Sequence, residues 1–312
     1  MNPNAFPQTP LYPLFEDERG NRFLIKREDM LPYSFGGNKA RIGWEYLQDM
    51  KAKGGTHMVA YGNARSNLCR VLSNLCAGED IPLTILSPAD DDGQRRQAFN
   101  GTLCESFGAS IVPCFKTNVA ETVDRVLAQI RADGQEPYYI YGDRSGKGNE
   151  AVPVRAYANA WTDMAEQLNG VDTIVLALGT GMTQAGLLCG QLALPNGPKP
   201  QVLGISIARD EAAARGWIRA YADAYQASVG SPQRINEEDI HVCDHFRSGY
   251  GQFDGEVSAC IRNTMAKYGI PLDGTYTGKA FHGMLTLAQN WHNRTVLFLH
   301  TGGTPLFFDA IR

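Results

Sequence analysis

Hydrophobic and polar positions follow two distinct periods along most of this chain. From about residue 56, short runs rich in β-branched and aromatic residues precede longer segments in which apolar residues recur every three or four positions. This first unit predicts strands at 56–62, 83–88, 110–114 and 138–142, with helices at 66–77, 93–106 and 118–132. Strands that alternate with helices in this way are typical of a parallel sheet covered by helices.

A second α/β run follows Gly148. Its pattern predicts helices at 151–168, from about 182, and at 210–226, with strands at 173–179, 202–208 and 295–303. The segment NRFLIKRED (21–29) is strand-like and precedes the first unit, so we expect it to join the second. The predicted fold class is therefore α/β, with two open, twisted, mostly parallel sheets that carry helices on both faces.

This arrangement makes the smaller unit an insertion in the larger one. We expect a larger domain formed by residues 1–43 and 150–312, and a smaller inserted α/β domain formed by residues 44–149. A cleft between two such units is lined by both of them, and it is the usual place for a ligand in paired α/β domains.

The composition and the net charge exclude several kinds of binding partner. The 312 residues include 43% hydrophobic and 20% charged residues, as in an ordinary globular protein. The net charge is −4 without a basic block, so the sequence carries no electrostatic signature of binding to nucleic acid or an anionic membrane. No apolar run approaches the ~20 residues that span a bilayer, and the first residues do not resemble a signal peptide. We therefore expect small-molecule partners and a cytoplasmic location.

The seven cysteines are dispersed, without a C-x-x-C pair or a histidine at metal-ligand spacing. We interpret most of them as buried small apolar side chains in a reducing compartment, and we predict no metal site.

The segment GTGMTQAG (179–186) follows an apolar strand and opens a helix. Glycines at such a turn let the backbone approach an anion, which the free N–H groups and the helix dipole then hold. A dinucleotide fingerprint is disfavoured because Gln184 ends the glycine pattern and no acid is clearly placed after the next strand, and the lysine of a P-loop is missing. The segment indicates either a phosphate cradle or a tight turn that only permits close packing.

Three further features are candidates for chemistry. In SFGGNKAR (34–41), Lys39 follows two glycines and an asparagine; loss of solvation there would lower the pKa of its amine and make it a nucleophile, whereas a solvated surface lysine has no such role. In HTGGTP (300–305), Thr301 is suited to hydrogen-bond a neutral ring nitrogen or belongs to a plain turn. Tyr250 and Tyr276 are either acid–base groups or packed aromatic residues.

In this order and at these separations, the segments KREDMLPYSFGGNKAR, RSN (65–67), GTGMTQAG, GYG, LDGTYTGKA and HTGG resemble the fold-type II pyridoxal-phosphate enzymes. Within them, the chain is similar to the group of 1-aminocyclopropane-1-carboxylate deaminase and D-cysteine desulfhydrase, from about residue 12 to residue 308. The resemblance implies pyridoxal 5'-phosphate as cofactor, a small amino acid as substrate, and a homodimer.

The resemblance also implies a role for each matching residue. Lys39 would form the Schiff base with the cofactor and remove the substrate α-proton, and Asn67 would hydrogen-bond the phenolic oxygen of the cofactor. Ser66 would lie against the substrate carboxylate or accept a proton, while Tyr250 and Tyr276 would face the substrate across the ring. The remaining cofactor-binding residues would be Thr180, Gly181, Met182 and Thr183 at the phosphate and Thr301 at the pyridine nitrogen.

Several positions depart from the pattern of these relatives. Thr277 stands where the cyclopropane deaminases carry glutamate, which favours the D-cysteine desulfhydrase side. Ile42 replaces a lysine near the phosphate, a loss of about 1.5–3 kcal/mol unless something compensates, and Arg41 is a candidate for that. On the substrate side Leu68 and Arg65 also differ; Arg65 is placed either to clamp a second acid group of the substrate or to face solvent at a helix start.

A hydroxyl group at the ring nitrogen leaves that nitrogen largely unprotonated, which favours elimination or replacement at Cβ over transamination. The resemblance thus implies a pyridoxal-phosphate-dependent lyase that performs α,β-elimination on a small β-substituted amino acid, releasing pyruvate, ammonia and the leaving group. Two alternatives stay open: a β-replacement synthase that uses the same aminoacrylate, and a cofactor-binding protein without catalytic activity.

Overall fold

The computed structural model describes residues 6–89 and 93–311, which form ten strands and ten α-helices. The strands are β1 (Leu11–Glu16), β2 (Arg22–Lys26), β3 (His57–Tyr61), β4 (Leu83–Pro88), β5 (Ser110–Cys114), β6 (Pro137–Tyr139), β7 (Thr173–Leu178), β8 (Gln201–Ser206), β9 (His241–Cys243) and β10 (Thr295–Leu299). The helices are α1 (Asn38–Ala52), α2 (Asn67–Ala77), α3 (Phe99–Ser106), α4 (Val119–Ala132), α5 (Ala151–Ala165), α6 (Met182–Ala193), α7 (Glu211–Ser228), α8 (Gly255–Tyr268), α9 (Thr277–Ala288) and α10 (Thr304–Ala310).

The larger sheet has six strands in the order β1-β2-β10-β7-β8-β9. Only β1 runs antiparallel to its neighbour, and the other pairs are parallel, with Phe298 of β10 opposite Ile25 of β2 and Val175 of β7. The N-terminal strands therefore share a sheet with the second half of the chain. The predicted α/β class with mostly parallel sheets is confirmed.

The smaller sheet has four parallel strands in the order β5-β4-β3-β6. Helices α2 and α4 pack against it, and α1 packs against both α2 and α5, so that this helix joins the two sheets. We propose domain boundaries at residues 43 and 150, which fall close to this connection.

Apolar side chains cover the central strands of the larger sheet on both faces. All six residues of β7, TIVLAL, are buried, as expected for a central parallel strand that is apolar throughout rather than alternating. Helices α5 and α6 cover one face of this sheet, and α8 and α9 pack on the other side. These layers hold the carboxyl ends of the parallel strands in fixed positions.

Several predicted elements differ from the structure at their ends, among them the strand predicted at 295–303, which ends at Leu299. The helix predicted at 93–106 begins only at Phe99, because residues 93–97 are exposed and have no apolar side chain to pack inward. The strand predicted at 138–142 ends at Tyr139. Within the described ranges, no helix combines the length and the apolar character that crossing a membrane requires.

Candidate active site

The two sheets meet at a cavity of about 970 Å³ between the carboxyl ends of their parallel strands. Residues that follow β3 and β4 line one side of it, and residues that follow β7, β8 and β10 line the other. Open α/β sheets bind their ligands at this kind of position. The predicted site residues that line the cavity are Lys39, Ser66, Asn67, Thr180, Gly181, Met182, Thr183, Tyr250, Tyr276 and Thr301.

Lys39 lies in the first turn of α1, and the loop before it fixes that turn. Gly37 has a φ of 94°, and a Cβ there would lie 2.8 Å from the carbonyl oxygen of Thr301, so only glycine fits. The N–H of Gly37 donates to the carbonyl oxygen of Glu28 at 2.9 Å, and the N–H of Asn38 donates to that of Thr301 at 3.0 Å. Burial lowers the pKa of the Lys39 amine to about 8, so a useful fraction is neutral and nucleophilic near neutral pH.

The turn between β7 and α6 forms an anion-binding wall of the cavity. Gly181, with a φ of 96°, is the N-cap of α6, whose first N–H groups have no partner within the helix. The Asn38 Nδ2 donates to the Thr183 Oγ1 at 2.8 Å, which ties this turn to the Lys39 loop. Arg209, which follows β8, donates to the carbonyl oxygen of Gly179 and adds a cation to the cavity wall. Free N–H groups, a helix dipole and a cation together suit a phosphate group.

Ser66 and Asn67 stand at the start of α2, directly after β3. Ser66 is the N-cap, and its Oγ accepts a hydrogen bond of 3.2 Å from the N–H of Cys69. The Asn67 Oδ1 accepts a hydrogen bond of 2.9 Å from the Asn100 Nδ2 of α3. Asn67 lines the cavity, and because its amide oxygen is engaged by Asn100, its NH₂ group is the part left to donate to an acceptor there.

Two tyrosines face the opposite side of the cavity. The hydroxyl of Tyr276 donates to the hydroxyl of Tyr250 at 3.0 Å, and the two rings are arranged edge to face. Burial raises the pKa of Tyr250 to about 12 and that of Tyr276 well above its ordinary value, so both hydroxyls are protonated at neutral pH. Because the Tyr276 hydroxyl donates its proton in this hydrogen bond, the hydroxyl proton of Tyr250 is the one available to a ligand.

A buried carboxylate holds Tyr276 in position. Asp273 accepts hydrogen bonds of 2.8, 2.8 and 3.1 Å from the N–H groups of Thr275, Tyr276 and Thr277 at the start of α9. The Thr277 Oγ1 also donates to Asp273, at 2.8 Å. The position that is glutamate in the cyclopropane deaminases is therefore part of a helix cap in this chain and lies outside the cavity wall.

The structure decides how to interpret the residues that differ from the pattern of the relatives. Ile42 is fully buried in the core, and Arg41 donates to the carboxylate of Glu28 through its Nε at 2.7 Å and its Nη2 at 3.2 Å. The interpretation of Arg41 as a replacement for the missing lysine is therefore wrong, because Glu28 holds the guanidinium group of Arg41 away from the cavity. Arg65 and Leu68 both line the cavity, on the side where substrate contacts were expected.

Three residues of the site are not singled out by the sequence pattern. Arg209 carries a usable signal, because it follows the carboxyl end of a parallel strand, where ligand-binding side chains gather. Asn38 precedes Lys39 and belongs to the same loop. Asn100 has no such signal, since only the packing of α3 on α2 brings it to Asn67.

These side chains fit the functional groups of pyridoxal 5'-phosphate. The aldehyde requires a neutral amine, which Lys39 supplies; the phosphate requires N–H donors, which the start of α6 supplies; and the phenolic oxygen requires a donor such as Asn67. A family model described as pyridoxal-phosphate dependent enzyme matches residues 4–302. The chain belongs to this family of pyridoxal-phosphate-dependent enzymes. The cofactor predicted from the sequence is confirmed.

Individual relatives of this pyridoxal-phosphate enzyme agree with the predicted group. D-cysteine desulfhydrase from Klebsiella pneumoniae (strain 342) is 29% identical over 313 residues, which cover 96% of this chain and 93% of that protein. A crystal structure of an ACC deaminase homologue has a TM-score of 0.83 and 25% identity, covering 97% of this chain and 94% of the other. A hydrogen sulfide-producing enzyme from Fusobacterium nucleatum shares the fold, with a TM-score of 0.65 and 18% identity over 96% of this chain and 95% of the other.

Proposed function

We propose that this pyridoxal-phosphate enzyme is a lyase that performs α,β-elimination on a small β-substituted amino acid, as the name of its D-cysteine desulfhydrase relative describes for that protein. The reaction removes a proton from Cα and a substituent from Cβ, and the three-carbon product hydrolyses to pyruvate and ammonia. One observation carries the proposal. The cavity places a lysine amine with a pKa of about 8 and a pair of protonated tyrosine hydroxyls around the same space.

Three groups of residues would hold the cofactor. Lys39 would bind it covalently, the turn 179–183 would bind its phosphate, and Asn67 would donate to its phenolic oxygen. Thr301, which lines the cavity after β10, would place its hydroxyl at the ring nitrogen. When bound, the cofactor supplies an electron-accepting ring that stabilises negative charge at Cα.

The protein's own groups would move the protons. The Lys39 amine, with a pKa of about 8, would be neutral often enough at neutral pH to take the proton from Cα of the substrate. The hydroxyl of Tyr250 has a pKa of about 12 and a proton that its partner Tyr276 does not use, so it would protonate the leaving group on Cβ. Ser66 would contact the substrate carboxylate from the start of α2.

The attachment of the cofactor can be tested with two lysines of similar environment. Lys279 is also buried, with a pKa of about 8, but its Nζ donates to the carbonyl oxygens of Gly249 and Ile207 at 2.6 and 3.2 Å. We expect Lys39→Ala to abolish both the visible absorption band at about 420 nm and the cofactor adduct that borohydride reduction traps. Lys279→Met should retain both. An adduct that persists in Lys39→Ala would refute the assignment.

The reaction itself can be tested with D- and L-amino acids that carry thiol, chloride, sulfonate or amine substituents at Cβ. Pyruvate formation without added thiol is the result expected for a lyase. Formation of a new amino acid only when thiol is added would instead identify a β-replacement synthase. No turnover with any of these compounds, in a protein that binds the cofactor, would contradict both.

We further propose that the enzyme acts as a homodimer in the cytoplasm. The seven cysteines are all free and five of them are buried, which is the usage found in reducing compartments. The dimer is supported by the resemblance to the deaminase and desulfhydrase group. Light scattering coupled to size-exclusion chromatography measures the mass of the assembly directly.

A further inference from the structure

Arg70 of α2 is an arginine buried without a counter-charge. Its side chain has no exposed surface, and its Nε and Nη1 have no hydrogen-bond partner among residues 6–89 and 93–311. In the described part of the chain no carboxylate pairs with it, and its Nη2 makes only long bonds, of 3.2 Å to the carbonyl oxygen of Gly36 and 3.4 Å to the Asn67 Oδ1. Burial lowers the pKa of Arg70 to about 10, so the guanidinium group is still charged at neutral pH.

An unpaired buried charge is costly, and packing alone does not require one at this position. Apolar residues pack around the same turn of α2, with Leu72, Leu75 and Val71 fully or almost fully buried in the core. The polar side chains buried near it, Asn67, Ser73 and Asn100, carry no charge. A methionine or leucine would fill such a site without the desolvation cost. The cation is therefore expected to act on a group that arrives from outside the protein.

The two contacts of Arg70 both lead to the cofactor site. Gly36 belongs to the loop that carries Lys39, and Asn67 lines the cavity. Two donors, Arg70 and Asn100, reach the Asn67 Oδ1 at 3.4 and 2.9 Å, so both lone pairs of that oxygen are engaged. The amide can then present only its NH₂ group to the cavity.

We propose that Arg70 is a positioning residue, which orients the Asn67 amide and supplies the positive charge that favours the ionised phenolic oxygen of the cofactor. This inference rests on the proposed contact between Asn67 and that oxygen. In the low-dielectric interior a charge one residue behind the cavity wall still acts on an anion at the wall, and it polarises the amide between them. The phenolic oxygen thereby provides the counter-charge that Arg70 lacks in the protein itself.

The test compares two ligands that differ only at this oxygen. The apoenzyme is titrated with pyridoxal 5'-phosphate and with its 3-deoxy analogue, in which hydrogen replaces the phenolic hydroxyl. Arg70→Met should weaken binding of pyridoxal 5'-phosphate about 10-fold or more, and binding of the analogue much less. Arg70→Lys, which keeps the charge, should keep most of the preference for pyridoxal 5'-phosphate.

A purely structural role of Arg70 predicts a different result. Arg70→Met would then weaken the binding of both ligands equally, because both need the Lys39 loop and the phosphate turn. An equal loss of affinity for the two ligands, or no loss of affinity, refutes the proposal. Ser73→Ala is the matched control, since the Ser73 Oγ donates to the carbonyl oxygen of Cys69 one turn away and does not contact Asn67. If Arg70→Met does not fold, Arg70→Gln removes the charge with less change in shape and is judged by the same comparison.

The variant Asn67→Leu distinguishes the role of Arg70 from the contact between Asn67 and the phenolic oxygen. If Asn67→Leu abolishes the preference for pyridoxal 5'-phosphate and Arg70→Met does not, only the role of Arg70 is wrong. If Asn67→Leu leaves the preference unchanged, the contact of Asn67 with the phenolic oxygen fails, and the role of Arg70 fails with it. Covalent attachment at Lys39 is tested independently of both results.

Discussion

The buried pair of Glu28 and Arg41 should be the most sensitive structural support of the Lys39 helix. The Glu28 carboxylate has no exposed surface and accepts four hydrogen bonds: from the Arg41 Nε and Nη2 at 2.7 and 3.2 Å, the Thr9 Oγ1 at 2.7 Å and the Tyr157 hydroxyl at 2.7 Å. Burial opposes ionisation, but Arg41 and the two hydroxyls outweigh it and hold the pKa of Glu28 below its ordinary value.

Glu28→Gln leaves Arg41 buried without a counter-charge, which should lower the free energy of unfolding by about 3–5 kcal/mol. The double variant Glu28→Met, Arg41→Met removes both charges. It loses the acceptor for the two hydroxyls, Thr9 and Tyr157, at about 1 kcal/mol each, and the contact of the Arg41 guanidinium group with the Phe6 ring, so it should be about 2–3 kcal/mol less stable than the parent. The double variant should therefore be more stable than the single one.

Urea denaturation of the holoenzyme at neutral pH, followed by far-ultraviolet circular dichroism, measures these differences. The advantage of the parent over Glu28→Gln should shrink in acid, because a carboxylate with a lowered pKa stabilises the fold above its ordinary pKa and loses that contribution as the pH falls through the lowered one. The account of an unpaired buried charge on Arg41 would be contradicted if Glu28→Gln lowered the free energy of unfolding by less than about 1 kcal/mol. A double variant less stable than the single variant would contradict it as well.

Three further results are expected. The rate at which the apoenzyme takes up cofactor should rise with pH with a midpoint near 8, the pKa of Lys39, because only the neutral amine reacts. Gly181→Ala should weaken cofactor binding and lower stability by about 1–2 kcal/mol, because φ is 96° there and a Cβ would lie 2.9 Å from the Ile218 Cγ1. Tyr250→Phe should lower turnover of cysteine about 10²–10⁴-fold but affect β-chloroalanine little, since chloride leaves without a proton.

Each of these expectations has its own control. A rate of uptake that has no midpoint near 8 and still rises steeply between pH 9 and 10, as an amine with the ordinary pKa of 10.5 gives, would contradict the low pKa of Lys39. Gly230→Ala, at a φ of 66° with no atom within 4 Å of its Cβ, separates backbone strain from the damage specific to the phosphate turn. Equal loss of turnover for both substrates in Tyr250→Phe would mean that the hydroxyl positions the substrate and does not protonate the leaving group.

The elements that the sequence predicts well are those with a strong local signal. The apolar runs of β7 and β10, each followed by glycines, predict strands that end in ligand-binding turns, and both turns line the cavity. The exposed segment before α3 is predicted wrongly as helix, because single-residue preferences do not report whether a segment has anything to pack against.

The roles of polar side chains depend on partners that are distant in sequence. Arg41 stands two positions after Lys39, yet the carboxylate of Glu28 turns its guanidinium group into the core. Arg209 stands far from both and reaches the phosphate turn. The position of Arg209 after a parallel strand is a local signal, but which arginine faces the cavity is decided by the charges that the fold brings within hydrogen-bond distance.

The α/β class follows from the sequence alone, because apolar strands and glycine turns act over a few neighbouring positions. The resemblance to known enzymes adds the family, the cofactor and ten of the residues that line the cavity. Only the tertiary structure decided which cations face the cavity, how the Asn67 amide is oriented and why Arg70 stays unpaired. Those properties depend on burial and on contacts between elements such as α2 and α3, and electrostatic energies are set by such distances and by the exclusion of water.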